Sequence, residues 1–326
     1  MNRMKGDDKQ PTVTLFLFAY NQRHYIEEAC RAALTQTYSP LEIIFSDDHS
    51  ADGTFEKMEE LVKNYEGPHK VRLNRNEKNI GLIEHVNKSF EISTGDLIVA
   101  AAGDDISEPD RVQHLVCAYR QAKGSALLIH SSAMKISAAN TDLGIFVPPV
   151  IQEKMTLSEM ADSLGLYIGA TAAWDKRLYK KFGPIINRDA YEDLILGFRA
   201  ALQESLLYID KPLVRYRLGV GISTEQDLDK LVFLERIQLR RKQQKHAAAV
   251  YSQRLSDLAY ANPKDHEIAK ITLKLASYIN KLEKELLFYD APLKLLISIF
   301  TKNGAQSLKV IYSELRYIVK TWRRSK

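Results

Sequence analysis

Three pairs of acidic residues stand out from a chain of 326 residues, each where a regular element ends or begins. Asp47-Asp48 follows the apolar run LEIIF, Asp104-Asp105 follows DLIVAAA, and Glu192-Asp193 opens an amphipathic stretch. Tyr20-Asn21 follows a third apolar run, TVTLFLFA. Carboxylates gathered at one sheet edge repel one another unless a cation or hydrogen-bond donors lie between them. Ligands that are all oxygen favour Mg²⁺ or Mn²⁺, and such a cation typically also holds a diphosphate and neutralises its charge. The competing reading is that these aspartates only initiate turns and cap helices, which Asp48 to Gly53 has the composition to do. For Glu192-Asp193, two readings also stand side by side. Acidic residues in a first turn complement the helix dipole, and an ionised carboxylate there can serve as a general base.

The elements that must position these residues are legible in the apolar periodicity. Residues 12–105 alternate continuously apolar strands with helical spacings such as Ile26, Ala29, Cys30, Ala33 and Leu34, then Phe55, Met58, Leu61 and Val62. That alternation predicts an α/β fold with a mostly parallel sheet covered on both faces. Ligands of such sheets collect at the carboxyl ends of the strands, which is where Tyr20-Asn21, Asp47-Asp48 and Asp104-Asp105 fall. Further along, ALLI reads as a strand, Thr156 with Glu159 as a capping box, Tyr191 to Gln203 as a helix and LLYIDKPLVRYR as a strand. From residue 224 long helical patterns take over. The expected organisation is a domain over residues 1–223 and a helical C-terminal region over 224–326.

Composition narrows the classes. The chain is 45% apolar and carries a formal net charge of +5, which excludes collagen-like and disordered chains. Cys30 and Cys117 are the only cysteines, so neither a disulfide framework nor a cysteine zinc site is expected and a reducing compartment fits. The polar start MNRMKGDDKQPT lacks the core of a signal peptide, and the longest apolar runs are far below spanning length. The expected location is therefore the cytoplasm. The scattered histidines lack metal-ligand spacing, and Trp174 suits either an acceptor sugar or the core.

Residues 18–54, FAYNQRHYIEEACRAALTQTYSPLEIIFSDDHSADGT, and 79–105, NIGLIEHVNKSFEISTGDLIVAAAGDD, closely resemble the family-2 glycosyltransferases. These are inverting enzymes of the GT-A fold, a Rossmann-like, mostly parallel sheet flanked by helices, that use nucleotide-sugar donors. The resemblance runs from Val13 to Arg120 and continues more loosely through GATAAWDKRLYKKFG, YEDLILGFR and KPLVRYR. It implies that Phe18, Ala19, Tyr20 and Asn21 line a nucleobase pocket, that Asp48 hydrogen-bonds the base, and that Asn79 and Gly81 border the nucleotide. It further implies that Asp104 approaches the ribose, that Asp105 ligates Mn²⁺ or Mg²⁺, and that Asp193, beside Glu192, is the general base. The donor implied is a UDP- or dTDP-sugar; the acceptor is a glycan or lipid-linked glycan of surface polysaccharide biosynthesis. Two departures matter. Gln22 stands where many relatives have Glu, and Leu218 follows Tyr216-Arg217 where the family often has His, so that Arg215, Arg217 or a neighbouring Lys is expected to bind the diphosphate. The QxxRW motif of processive synthases is absent. A nucleotidyltransferase should carry a Gly-rich phosphate loop after the first strand, which this chain lacks; a non-catalytic scaffold of the same fold is the second alternative.

The C-terminal charge is uneven. Residues 301–326 hold seven basic side chains against Glu314 alone, behind an apolar segment from Ala291 to Phe300. A basic helix with Leu308, Ile311, Tyr312, Leu315, Ile318, Val319 and Trp322 on or near its apolar side suits an anionic membrane surface, met through residues 291–326. Packing on its own domain with a solvated basic edge is the alternative. Nucleic acid is not expected as a partner, because no binding module accompanies the charge.

Overall fold

The computed structural model of the protein describes residues 10–220, 233–262, 264–290 and 304–324. The chain divides into two compact units. One gathers the described residues of Met1–Met160, Gly165–Ile186 and Glu192–Thr224; the other gathers those of Ala161–Leu164, Asn187–Tyr191 and Glu225–Lys326. The expected boundary at residue 224 lies outside the described residues.

The first unit begins with the predicted alternation: β1 (Val13–Ala19), α1 (Ile26–Leu34), β2 (Glu42–Asp47), α2 (Thr54–Lys63), β3 (Lys70–Arg75), α3 (Leu82–Ile92) and β4 (Leu97–Ala102). β1 pairs in parallel with β2 on one side and β4 on the other. Both faces of these strands are covered, so Leu15, Phe16, Leu17, Ile43, Ile44, Phe45, Ile98 and Val99 are all buried. This explains why their sequences run apolar without alternation. Ile26, Ala29, Cys30 and Ala33 of α1 pack into the same core.

The chain continues with β5 (Ile106–Ser107), α4 (Arg111–Gln121), β6 (Leu128–Ile136), β7 (Asp142–Phe146), α5 (Pro149–Gln152), α6 (Leu157–Asp162), β8 (Ala173–Asp175), α7 (Lys176–Phe182), α8 (Glu192–Ala201) and β9 (Leu206–Arg217), all in the first unit except the last two residues of α6. Among the described residues the strands make one nine-stranded sheet in the order β3-β2-β1-β4-β8-β6-β9-β5, with β7 paired to β6. β8 is antiparallel to both β4 and β6, and β6 is parallel to β9. The capping box forms: Thr156 and Glu159 exchange hydrogen bonds, with Glu159 accepting from the Thr156 N–H at 2.8 Å. Trp174, on β8, is fully buried and stacks on Phe90 at 5.6 Å. It is a core residue, and its ring is closed to an acceptor sugar.

The second unit is helical: α9 (Phe233–Asp257), α10 (His266–Asp290) and α11 (Gly304–Arg324). Val250, Ile268, Ile271, Leu275 and Val310 are buried in it. No described helix is long and apolar enough to cross a membrane. The apolar segment 291–300 lies outside the described residues.

Candidate active site

Backbone pairing brings three polar strand ends together. The Phe18 carbonyl accepts the Gly103 N–H and the Ala19 carbonyl accepts the Asp48 N–H, each at 2.9 Å. The end of β1 is thereby tied on one side to the residue before Asp104-Asp105 and on the other to Asp48. Beyond it Tyr20 is exposed, and Asn21 takes a left-handed conformation (φ 51°) while its Oδ1 accepts the Ala51 N–H. The half-buried Phe18 ring packs edge-on against His85, which burial keeps neutral by lowering its pKa to about 4.

The first aspartate pair is consumed by the fold. Asp47 is fully buried; its carboxylate accepts the Ser50 N–H at 2.9 Å and the Ser50 hydroxyl at 2.5 Å, and Arg75 stands 3.7 Å away. Asp48 accepts from Asn76 Nδ2, the Ile80 N–H and the Gly81 N–H at 2.8, 2.9 and 2.9 Å. It thus holds the loop that carries Asn79 and Gly81, where Gly81 has φ 82°, a conformation that excludes most other residues. The Asn79 side chain accepts the same Gly81 N–H. Of the two possibilities the sequence left open, a cation or hydrogen-bond donors between the carboxylates, the donors answer for the first pair. Local N–H and O–H donors satisfy Asp47 and Asp48, and the electrostatic demand for a cation rests on Asp104-Asp105 alone.

That second pair is differently provided for. Asp105 is buried, its Oδ1 accepts the Arg217 N–H at 2.8 Å, and its Oδ2 is buried with no hydrogen-bond partner. Burial, then the neighbouring Asp104, pushes its pKa well above the usual carboxylate range. Asp104 is raised by burial too, with a counteracting hydrogen bond from Gln22. Gln22 lies against Gly103, where a Cβ would sit 2.4 Å from its Oε1. An amide here donates to Asp104; a glutamate would add a third carboxylate to the cluster.

Two buried arginines stand behind the pair. Arg217 sends Nε to the Asp104 carbonyl at 2.8 Å, Nη1 to Asn140 and the carbonyls of Ser137 and Ala138, and Nη2 to Glu28 at 2.8 Å, with its guanidinium 4.6 Å from the Tyr25 ring centre. Arg215 pairs with Asp142 at 2.7 Å. Of the candidates for a diphosphate contact, Arg217 is thus fully engaged by the fold and Arg215 is engaged in one ion pair, while a neighbouring Lys stays a candidate. Arg111, fully buried, donates from Nη1 to Ser107 and from Nη2 to the carbonyls of Ala100 and Ala170 at 2.6 and 2.7 Å. Burial lowers its pKa to about 9, and Asp105 works in the opposite direction.

Arg111 thus links the end of β4 to the single turn Gly169–Thr171, and that turn meets the acidic pair of α8. A Cβ on Gly169 would fall 1.9 Å from Glu192 Oε1 and 3.8 Å from the Asp193 Cβ. Glu192 is pushed up to about 8 by burial and by the adjacent Asp193, which favours its protonated form more than in an ordinary carboxyl. Tyr167, buried beside both carboxyls, is raised further by burial and by their charge. Gln22 and Arg217 stood out in the sequence as positions beside departures from the family pattern; Arg111 and Tyr167 carry no sequence signature of a site. For Arg111 the available signal was its place in the apolar phase of α4, next to the buried Val112 and Leu115.

The sequence profile of the family Glycosyl transferase family 2 matches residues 14–181, just over half of the chain. The chain belongs to this family of glycosyltransferases. A family relative, an uncharacterized glycosyltransferase of Haemophilus influenzae, is 31% identical over 106 residues, which is 32% of each chain. The chondroitin synthase of Escherichia coli is 32% identical over 111 residues, 34% of this chain and 16% of that one. The chain thus matches a third or less of the length of these two glycosyltransferases. Among solved structures, the mannosyltransferase PcManGT from Pyrobaculum calidifontis, in complex with GDP-Man and Mn²⁺, superimposes with a TM-score of 0.55 at 16% identity, covering 98% of this chain and 86% of that one. Together with the topology, this establishes the GT-A fold expected of the family-2 glycosyltransferases.

Proposed function

We propose that the protein transfers one sugar, with inversion, from a UDP- or dTDP-sugar to a glycan or lipid-linked acceptor in surface polysaccharide biosynthesis. The reading is carried by the second acidic strand end, where Asp105 presents a buried oxygen with no partner. An orphaned, desolvated carboxylate oxygen suits a hard divalent cation. Among the described residues no three His, Cys, Asp or Glu side chains converge as a metal group, so Asp105, with Asp104 beside it, would hold Mn²⁺ or Mg²⁺ together with the donor's phosphates. When bound, such an ion stabilises charge on the leaving diphosphate.

The chain's own residues supply the rest. Phe18, Ala19, Tyr20 and Asn21 border the nucleobase. Asp48 fixes the Asn79 to Gly81 loop and keeps about one of its four lone-pair positions for a base N–H. Asp104 meets the ribose. Asp193 accepts the proton of the acceptor hydroxyl as that oxygen bonds to the anomeric carbon and the bond to the diphosphate oxygen breaks. Neutral Glu192 spares Asp193 a like-charge neighbour, so the two carboxyls divide into one proton holder and one base. The reaction takes place at the inner, cytoplasmic face of the cell membrane, where residues 291–326 meet anionic lipid.

The test is a thermal-shift screen of nucleotide sugars with Mn²⁺, followed by transfer assays with the stabilising donor. Turnover that is lost in Asp193→Asn while nucleotide affinity is kept supports the assignment. Substantial residual turnover in that variant moves the base elsewhere, and no stabilisation by any nucleotide sugar overturns the enzyme reading.

A further inference from the structure

Among the described residues, helix α11 buries one face against protein and leaves an apolar stripe exposed on the other. On the inner face Ser307, Val310 and Glu314 are buried, and Tyr317 lies under the Arg240 guanidinium at 4.1 Å. Glu314 accepts from Arg240 Nε at 2.8 Å and Nη2 at 2.5 Å, from the Tyr289 hydroxyl, and from Gln244 at 3.5 Å. On the other side Leu308, Tyr312, Leu315 and Val319 are exposed by 53%, 68%, 50% and 47%. At 3.6 residues per turn these four fall within about 60° of one another and roughly opposite the inner face. Lys309 and Arg316, both exposed, border the stripe along one flank.

The charge arrangement selects the occupant. Glu314 is the only acidic residue between Gly304 and Arg324, and the fold has removed it from the surface and neutralised it with Arg240. The outward side of α11 is therefore an apolar stripe flanked by Lys309 and Arg316, in a helix whose one acidic residue is turned inward. A like-charged second copy would place these cations against one another. An anionic lipid surface accepts both features at once, the side chains entering the acyl boundary and the cations meeting headgroup phosphates.

We infer that α11 lies on an anionic membrane through the face formed by Leu308, Tyr312, Leu315 and Val319, with Lys309 and Arg316 at headgroup level. This rests on the membrane location proposed above and is independent of the transfer chemistry. It also accounts for burying Glu314, which on the outer face would oppose the lipid charge.

The experiment is flotation of the full chain with phosphatidylcholine vesicles, with and without phosphatidylglycerol, at low and high salt. The full chain is expected to float only with phosphatidylglycerol present, and less in high salt. Lys309→Gln with Arg316→Gln should weaken binding roughly thirtyfold, and Leu308→Ser with Leu315→Ser at least about tenfold. All four positions are exposed, so circular dichroism should show the helices retained. If the full chain ignores both vesicle types, the membrane location and the face fall together. If it floats but neither double variant weakens binding, the face is wrong and the location stands. A dimer in light scattering that the Leu308→Ser, Leu315→Ser variant abolishes would assign the stripe to a second copy and overturn the inference.

Discussion

The ends of β2 and β4 carry the same dipeptide, and the fold treats the two differently. At the end of β2, Asp47 and Asp48 receive Ser50, Asn76, Ile80 and Gly81 as donors, all from the adjoining turn and the following loop. At the end of β4, Asp105 receives one backbone N–H and keeps one buried oxygen unpartnered, with Arg111 and Arg217 engaged behind it. A buried carboxylate surrounded by N–H groups is a structural part. One left short of donors costs the fold stability and is a candidate place for a ligand to complete the arrangement.

Five substitutions test that contrast and the site around it. The largest effect is expected at α8: Asp193→Asn should lower transfer by about 10²- to 10⁴-fold and leave UDP affinity nearly unchanged, as read by steady-state kinetics and calorimetry. Next, the same change at both strand ends should have opposite results in thermal unfolding. Asp48→Asn replaces one acceptor with a donor facing N–H groups and should cost about 2 kcal/mol, a drop in Tm of roughly 4–8 °C. Asp105→Asn keeps the bond from Arg217 and removes a carboxyl whose ionisation burial and Asp104 oppose, so stability should be equal or higher. Equal losses at the two positions would erase the distinction.

Smaller effects are expected around Glu192. Gly169→Ala places a Cβ on its carboxyl and should lower transfer about tenfold by misplacing the acidic pair, with nucleotide binding kept. The last prediction concerns pH. Because the folded state holds the Glu192 proton up to about pH 8, against an ordinary carboxyl value of 4.5, the folded state binds more protons than the unfolded chain across that window. This contribution to stability is full below pH 4.5, declines as pH rises, and is gone above about 8. Glu192→Gln should flatten this part of the stability profile; an unchanged slope would show that Glu192 is ionised in the fold.

The sequence made the architecture around β1, β2 and β4 legible because strands buried on both faces must be continuously apolar, and their polar ends could be located to the residue. β6 extends well past ALLI because His130, Ser131 and Ser132 are polar yet buried, a pattern that imitates a loop. β7 is exposed and β8 has only three residues, too little for any periodicity. Within the site, Asp47 and Asp105 look identical in sequence, and only their donors tell them apart. Arg111 and Arg217 were illegible as clamps because a buried arginine differs from a solvated one in what it touches, and those partners lie up to 189 positions away along the chain.

The claim that the end of β4 is the metal and nucleotide site is tested most directly by calorimetry of the full chain with UDP, with and without Mn²⁺. Wild type should bind UDP in a Mn²⁺-dependent manner, Asp105→Asn should remove that dependence, and both proteins should melt at similar temperatures. UDP binding that is equally tight in EDTA, or that keeps its Mn²⁺ dependence in Asp105→Asn, would contradict it.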